Sequence, residues 1–162
     1  MTGDVAVEFI VTGAGWADIA LRIKDKSFSL TGISYVTDAL GDLVRFALAI
    51  ATGAHSATAT FDREPYVWQL QAVNLLDNFT GDGMASLAVT EAESERADER
   101  AHEVFRADCG ALNFAAAVLD ASKRAEPSYA GFGLAHLTFP LAAVHALEAA
   151  LATYNVAPLD RG

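Results

Sequence analysis

The chain has 162 residues, with 11 Lys and Arg against 21 Asp and Glu, a formal net charge of −10. Phosphate backbones attract basic surfaces, so direct nucleic-acid binding is not expected. Mean hydropathy is +0.25 and 52% of residues are hydrophobic, but alanine carries much of that excess, and the uncharged run from Phe46 to Phe61 is interrupted by Thr52, Gly53, His55, Ser56 and Thr58, so no membrane span is expected.

The length suits one domain, 1–162, with a full core. The opening MTGDVAVEF has neither a basic start nor a long apolar run, so no signal peptide is expected. Cys109 is the only cysteine, so no internal disulfide can form, and a cytoplasmic location fits. An acidic surface suits a basic protein partner, although acidity also serves solubility.

In chain order, Val5–Thr12 reads as a strand with a β-branched bias, and Gly13-Ala14-Gly15 as a turn. Trp16–Lys24 alternates Ile19, Leu21 and Ile23 against Asp18, Arg22 and Lys24, the pattern of a half-buried antiparallel strand. Asp25-Lys26-Ser27 reads as a turn, with Phe28–Leu30 extending or starting a short strand. The segment ISYVTDALGDLVRFALAIATG then gives the clearest helix. Thr37 or Asp38 can cap its start, and Gly53 its end. Leu40, Leu43, Val44, Ala47 and Ala51 make one apolar face; Ala39, Leu43, Phe46 and Ile50 make a second. The polar stripe is only Asp38, Asp42 and Arg45, so the helix should be covered on two sides.

Ser56–Phe61 and Tyr66–Val73 read as a hairpin around Asp62-Arg63-Glu64-Pro65. Leu75–Phe79 continues the strand or bends, and Thr80-Gly81-Asp82-Gly83 reads as a turn. Met84–Glu91 is a strand with Leu87 and Val89 inward. EAESERADER, residues 91–100, reads as a solvated loop or a bulge, and Ala101–Ala107 as a last strand. Asp108 is placed to cap a second helix, Cys109–Arg124, with Leu112, Ala115, Ala116 and Leu119 on one face and Phe114, Val118 and Ala121 widening it. Glu126–Leu134 reads as a loop. Thr138 can cap a third helix whose core stripe is Leu141, Val144, Leu147, Leu151 and Tyr154. Its alanine flank, Ala142, Ala143, Ala146, Ala149, Ala150 and Ala152, should pack against the second helix. The order β-β-α-β-β-β-β-α-α gives an α+β fold: a mostly antiparallel sheet of about six strands with helices on one face.

Motifs exclude several chemistries. Gly13 and Gly15 after a strand lack the third glycine of a dinucleotide turn, where Asp18 stands, and the residues beyond it alternate like a strand. The opening of short-chain dehydrogenases would need glycines at Ala17 and Ile19, and no Tyr is followed four residues later by Lys. No Gly-Lys-Ser/Thr phosphate loop exists. His55, His102, His136 and His145 form no i,i+3 or i,i+4 pair, so no zinc site and no cofactor are expected. His145 and Glu148 share a helix face as in carboxylate-bridged metal helices, but no second such pair exists, which favours an exposed polar pair. Ser34 lacks a base that would make it a nucleophile. Cys109 at a helix start could have a lowered pKa and pair with His102 or His136, but burial as a small apolar residue is the commoner outcome. Asp38, Asp42 and Arg45 could grip a cation or a basic partner, or form the wet edge of a buried helix. Trp16, Phe61, Tyr66 and Trp68 could line a ligand cleft or pack in the core.

Ser34-Tyr35, Asp38-Ala39-Leu40, Asp42-Leu43, Arg45, Phe61-Asp62, Glu64-Pro65, Trp68 and Phe139-Pro140-Leu141 together resemble a group of small uncharacterised bacterial proteins frequent in actinobacteria. The resemblance covers most of the chain, its motifs are structural, and it implies no activity. Size, acidity and element order are also similar in style to immunity proteins that neutralise toxins, an analogy that does not establish function.

The reading is therefore a non-catalytic protein that binds another macromolecule, in an immunity-type role or otherwise. The alternative is a small-molecule binder or enzyme with a cleft between the sheet and the last two helices, and homodimerisation is compatible with either. The interaction patch comprises Asp38, Asp42, Arg45, Asp62, Glu64, Tyr66 and Trp68.

Overall fold

A computed structural model describes residues 4–13, 15–34, 38–63, 65–75, 83–93, 101–131 and 138–159, with the side chains of 130, 131 and 154–159 aside. Several expectations fall outside these residues: Thr37 as the alternative cap, Glu64, the 80–82 turn, the charged run 94–100, His136, the 132–134 loop and Tyr154 in the last stripe.

The alternation between Val5 and Ile23 folds into β1 (Val5–Gly13) and β2 (Trp16–Ile23), followed by β3 (Lys26–Ser34). Val7, Leu21 and Phe28 share one cross-strand row, and Phe9, Ile19 and Leu30 share the next. This inward face buries Val5, Val7, Phe9, Val11, Ala17, Ile19, Leu21, Ile23, Leu30 and Ile33. The turn between β2 and β3 is Lys24-Asp25, one residue earlier than the sequence suggests, and Lys24 takes the left-handed φ of 57° that a two-residue hairpin demands. The short strand expected at Phe28–Leu30 is a full nine-residue strand.

Helix α1 (Ala39–Ala51) follows. Asp38 caps it, its carboxylate accepting from the Gly41 N–H at 3.0 Å. Gly53, at φ +90°, ends it by donating to the Ile50 carbonyl. Both apolar faces read from the sequence are buried, the Asp38–Asp42–Arg45 stripe reaches solvent, and Leu48 and Ala49 are half-buried.

A second sheet comprises β4 (Ser56–Arg63), β5 (Tyr66–Asn74), β6 (Met84–Glu93) and β7 (His102–Gly110), antiparallel in that order. Its inward rows run Ala59–Leu70–Val89–Phe105 and Ala57–Ala72–Leu87–Ala107. The fold is thus α+β with seven strands in two antiparallel sheets, where a single sheet of six was expected. The chain passes from β3 to β4 through α1, the two strands lie side by side without pairing, and β3 carries a bulge. Ala17 pairs with Ile33 while Ile19 pairs with Leu30, which leaves one extra residue in the β3 segment at Thr31-Gly32.

The second helix, α2 (Ala111–Gly131), starts later and ends later than expected. Asp108 and Cys109 do not begin it: they pair with Ser86 and Ala85 within β7, which runs one residue further to Gly110. The chain turns helical where the Ala111 N–H donates to the Gly83 carbonyl. Past Arg124 the helix runs through Pro127, because Ala125 and Tyr129 extend the buried stripe one more turn and Tyr129 meets Phe139 edge-on at 5.4 Å. Of the positions assigned to its apolar faces, Phe114, Ala115, Val118 and Ala121 are buried, whereas Leu112, Ala116 and Leu119 are only half-buried.

Helix α3 (Leu141–Leu159) buries Val144, Leu147 and Leu151. Leu141, assigned to the same stripe by spacing, is 49% exposed. Ala142, Ala146, Ala149 and Ala152 face solvent and do not carry the expected packing on α2. Both α2 and α3 pack against α1, and a Lys123–Glu148 pair ties them across their exposed sides. No helix among the described residues is long and apolar enough to cross a membrane.

Candidate functional site

The sequence-derived patch divides into two. The first part lies on α1. Arg45 donates to Asp42 at 2.8 Å and reaches Asp38 at 3.4 Å, which keeps its guanidinium firmly charged, chiefly through the Asp42 hydrogen bond. All three side chains are substantially exposed. Helix spacing alone brings Asp42 and Arg45 together, and the capping geometry turns Asp38 toward the same stripe.

Asp42 and Arg45 of this stripe line an open groove of about 440 Å³. Asp42, Arg45, Phe46 and Ala49 face it from α1, and Ser56–Thr60 of β4 form its other side. Strand β4 is an edge of its sheet. The Asn74 N–H donates to the His55 carbonyl at 2.9 Å, and this fixes which backbone groups point where. Ala57, Ala59, Phe61 and Arg63 turn N–H and C=O toward β5, and the intervening Ser56, Thr58 and Thr60 turn theirs away from it, along the groove. Those outward groups have no partner among the described residues.

The second part lies at the β4–β5 hairpin. Trp68 is nearly buried; its indole N–H donates to the Thr31 carbonyl at 3.0 Å, and Phe28 meets its ring edge-on at 5.5 Å. Arg63 stacks over Trp68 with its guanidinium carbon 4.8 Å from the ring centroid, and it is 5.9 Å from that of Tyr66, which is 42% exposed. The same guanidinium pairs with Glu91, which His102 approaches at 3.9 Å. On the β3 side, Gly32 adopts φ +67° and its N–H donates to Asp18 at 2.9 Å. This chain of contacts fastens the bulge of β3 to the second sheet, so Trp68 and Arg63 form a joint.

Asp62 is half-buried and belongs to the opposite sheet face from Phe61 and Arg63, so it does not join that cluster. Phe61 is fully buried and Trp16 is 48% exposed, so the four aromatics of the sequence reading do not line a common cleft. Ser56, Thr58, Thr60, Arg63 and Glu91 were not in the predicted patch. Their strands were legible, but which strand ends at an edge and which carboxylate opposes Arg63 depend on pairing between strands.

Other candidates resolve into structure. Cys109 is buried in β7, and burial, with a smaller contribution from Asp108, pushes its thiol up to about 12. Burial, the commoner outcome, is thus the one found, the lowered pKa of a helix start does not arise, and His102 stands at the opposite end of the same strand. Glu148 is held below the usual carboxylate range by Lys123 across the helix pair. No group of three or more His, Cys, Asp or Glu suited to a metal ion occurs among the described residues. Between β1 and α2, Arg124 donates to the Val7 carbonyl at 3.0 Å and separates two cavities of about 260 Å³ each.

Comparisons with protein-family models, with curated proteins and with solved structures return no match.

Proposed function

We propose that this protein acts without catalysis, by binding a basic partner protein across the α1–β4 groove. The observation that carries the reading is the juxtaposition of the exposed Asp38–Asp42–Arg45 stripe with the open edge of β4. Net charge −10 supports it, since complementary charge speeds encounter and selects partners. An immunity-type role is the specific form in which the bound partner is a toxin domain.

The test is affinity capture from the native host with wild-type protein and the Asp42→Lys variant, read by mass spectrometry. A basic protein recovered stoichiometrically with the wild type and at least tenfold depleted with Asp42→Lys is the expected result. Equal recovery by both would overturn the acidic-face reading. Asp42 is the better residue to change, because Asp38 also caps α1.

A second reading, small-molecule binding, draws support from the cavity lined by Val5, Val7, Asn113, Ala116, Asp120 and Arg124. It predicts a retained small molecule in native mass spectra, lost on Ala116→Trp.

A further inference from the structure

We infer that the edge of β4 takes up an extended, basic segment of the partner as an added β-strand. The inference rests on the binding reading above and specifies its mode.

A sheet edge is a row of unpaired donors and acceptors, and folded proteins blunt such rows. Three edges here are blunted in the same manner. On β1 the Val7 carbonyl accepts from Arg124; on β3 the Thr31 carbonyl accepts from Trp68; on β7 the Arg106 carbonyl accepts from Lys26, each at 3.0 Å. Helix α2 also packs against β1. Over Ser56–Thr60 no such contact occurs among the described residues. The usual deterrents are missing as well: SATATFDR contains no Lys or Pro, and its pairing with β5 runs without a bulge. Ser56, Thr58 and Thr60 are exposed, while Ala59 and Phe61 are buried, so the strand is held rigidly from within and open from outside. Small Ser, Ala and Thr side chains let another backbone approach to ladder distance.

The chemistry of the occupant follows from the charge around the edge. Asp42 lines the groove paired with Arg45, and Asp38, 3.4 Å from the same guanidinium at the start of α1, adds a second exposed carboxylate beyond the lining, on a molecule of net charge −10. A strand laid on β4 alternates its side chains, and those on the α1 side would face Asp42 and Arg45. Lys or Arg at alternate positions suits that side. A second copy of this chain fits less well, because it would bring two acidic stripes and two strongly negative molecules together.

The test uses full-length ¹⁵N-labelled protein and a capped seven-residue peptide alternating Lys and Val. Saturable shifts and slowed exchange at the Ser56, Thr58 and Thr60 amides are expected, with no response to the Glu–Val counterpart. Thr58→Pro should weaken binding at least tenfold: it deletes an outward N–H and leaves the β4–β5 ladder complete. As a control that leaves the protein untouched, the peptide is N-methylated at either its Lys or its Val amides. Only one edge of an added strand faces β4, so one of these peptides should lose binding and the other keep it.

Equal binding by both methylated peptides, shifts confined elsewhere, or no binding would overturn strand addition. Protection of the edge amides that grows with protein concentration, without peptide, would replace the partner segment by a second copy. With the partner captured as above, loss on Asp42→Lys but not on Thr58→Pro would sink strand addition alone. Retention on Asp42→Lys would sink the underlying binding reading.

Discussion

Cys109 shows how far one residue's chemistry depends on its element. In β7 it is 3% exposed, and its thiol titrates at about 12 where an unburied one titrates near 9.0. Between these values the unfolded chain has released a proton that the folded chain keeps. Unfolding is then favoured by rising pH: the contribution is fully present below about pH 9 and is lost on the way to pH 12, at most about 1.4 kcal/mol per pH unit. Urea denaturation of wild type and Cys109→Ala should therefore show wild type losing stability relative to the variant between pH 8 and pH 10.5. A constant difference across that range would mean the thiol ionises freely in the folded state. The sequence offered both fates for this residue, a reactive helix start or an apolar core position. What it did not contain was the Cys109–Ala85 pairing that decides between them.

At the scale of the element, α1 was the most legible part of the chain because local rules sufficed. Its cap, its end and both buried faces follow from spacing and from the short side chain of Asp38. Gly41 belongs to the same device: a Cβ there would collide with the capping carboxylate. Asp38→Ala should cost about 1 kcal/mol through the lost cap, and Asp42→Ala a few tenths at most, since its pair with Arg45 is exposed. Thermal denaturation of the two variants compares them directly, and equal losses would deny Asp38 its capping role. The ends of α2 were misread for a different reason. Asp108 is a good cap residue and Pro127 a good breaker by local rules, but β6 recruits Asp108 into the sheet and the burial of Tyr129 carries the helix past Pro127. Tertiary contacts overrode propensity at both ends. On α3 the spacing of Val144, Leu147 and Leu151 did show the packed side, whereas Leu141 and most of the alanine flank, uniform in size and polarity, were assigned to packing and face solvent.

At the scale of the whole molecule, the division into two sheets places the candidate site. Strands β3 and β4 are neighbours but do not pair, and that leaves β4 as an edge with a groove beside it. The sheets are instead joined through side chains: Trp68 to the Thr31 carbonyl, Phe28 between Trp68 and Phe105, Lys26 to the Arg106 carbonyl. Buried residues of both sheets and all three helices belong to one continuous core cluster. A joint set in a shared core should transmit loss of either sheet to the other. Trp68 reports on that joint, and Trp16 is half exposed at the β1–β2 hairpin, so a Trp16→Phe variant leaves Trp68 as the only indole. Its fluorescence and the far-ultraviolet circular dichroism should then follow the same urea transition, as two-state unfolding requires. A fluorescence change at lower urea than the loss of secondary structure would mean that the joint opens first. The β3 bulge and the β4 edge would then move independently, and the groove would not be a preformed surface.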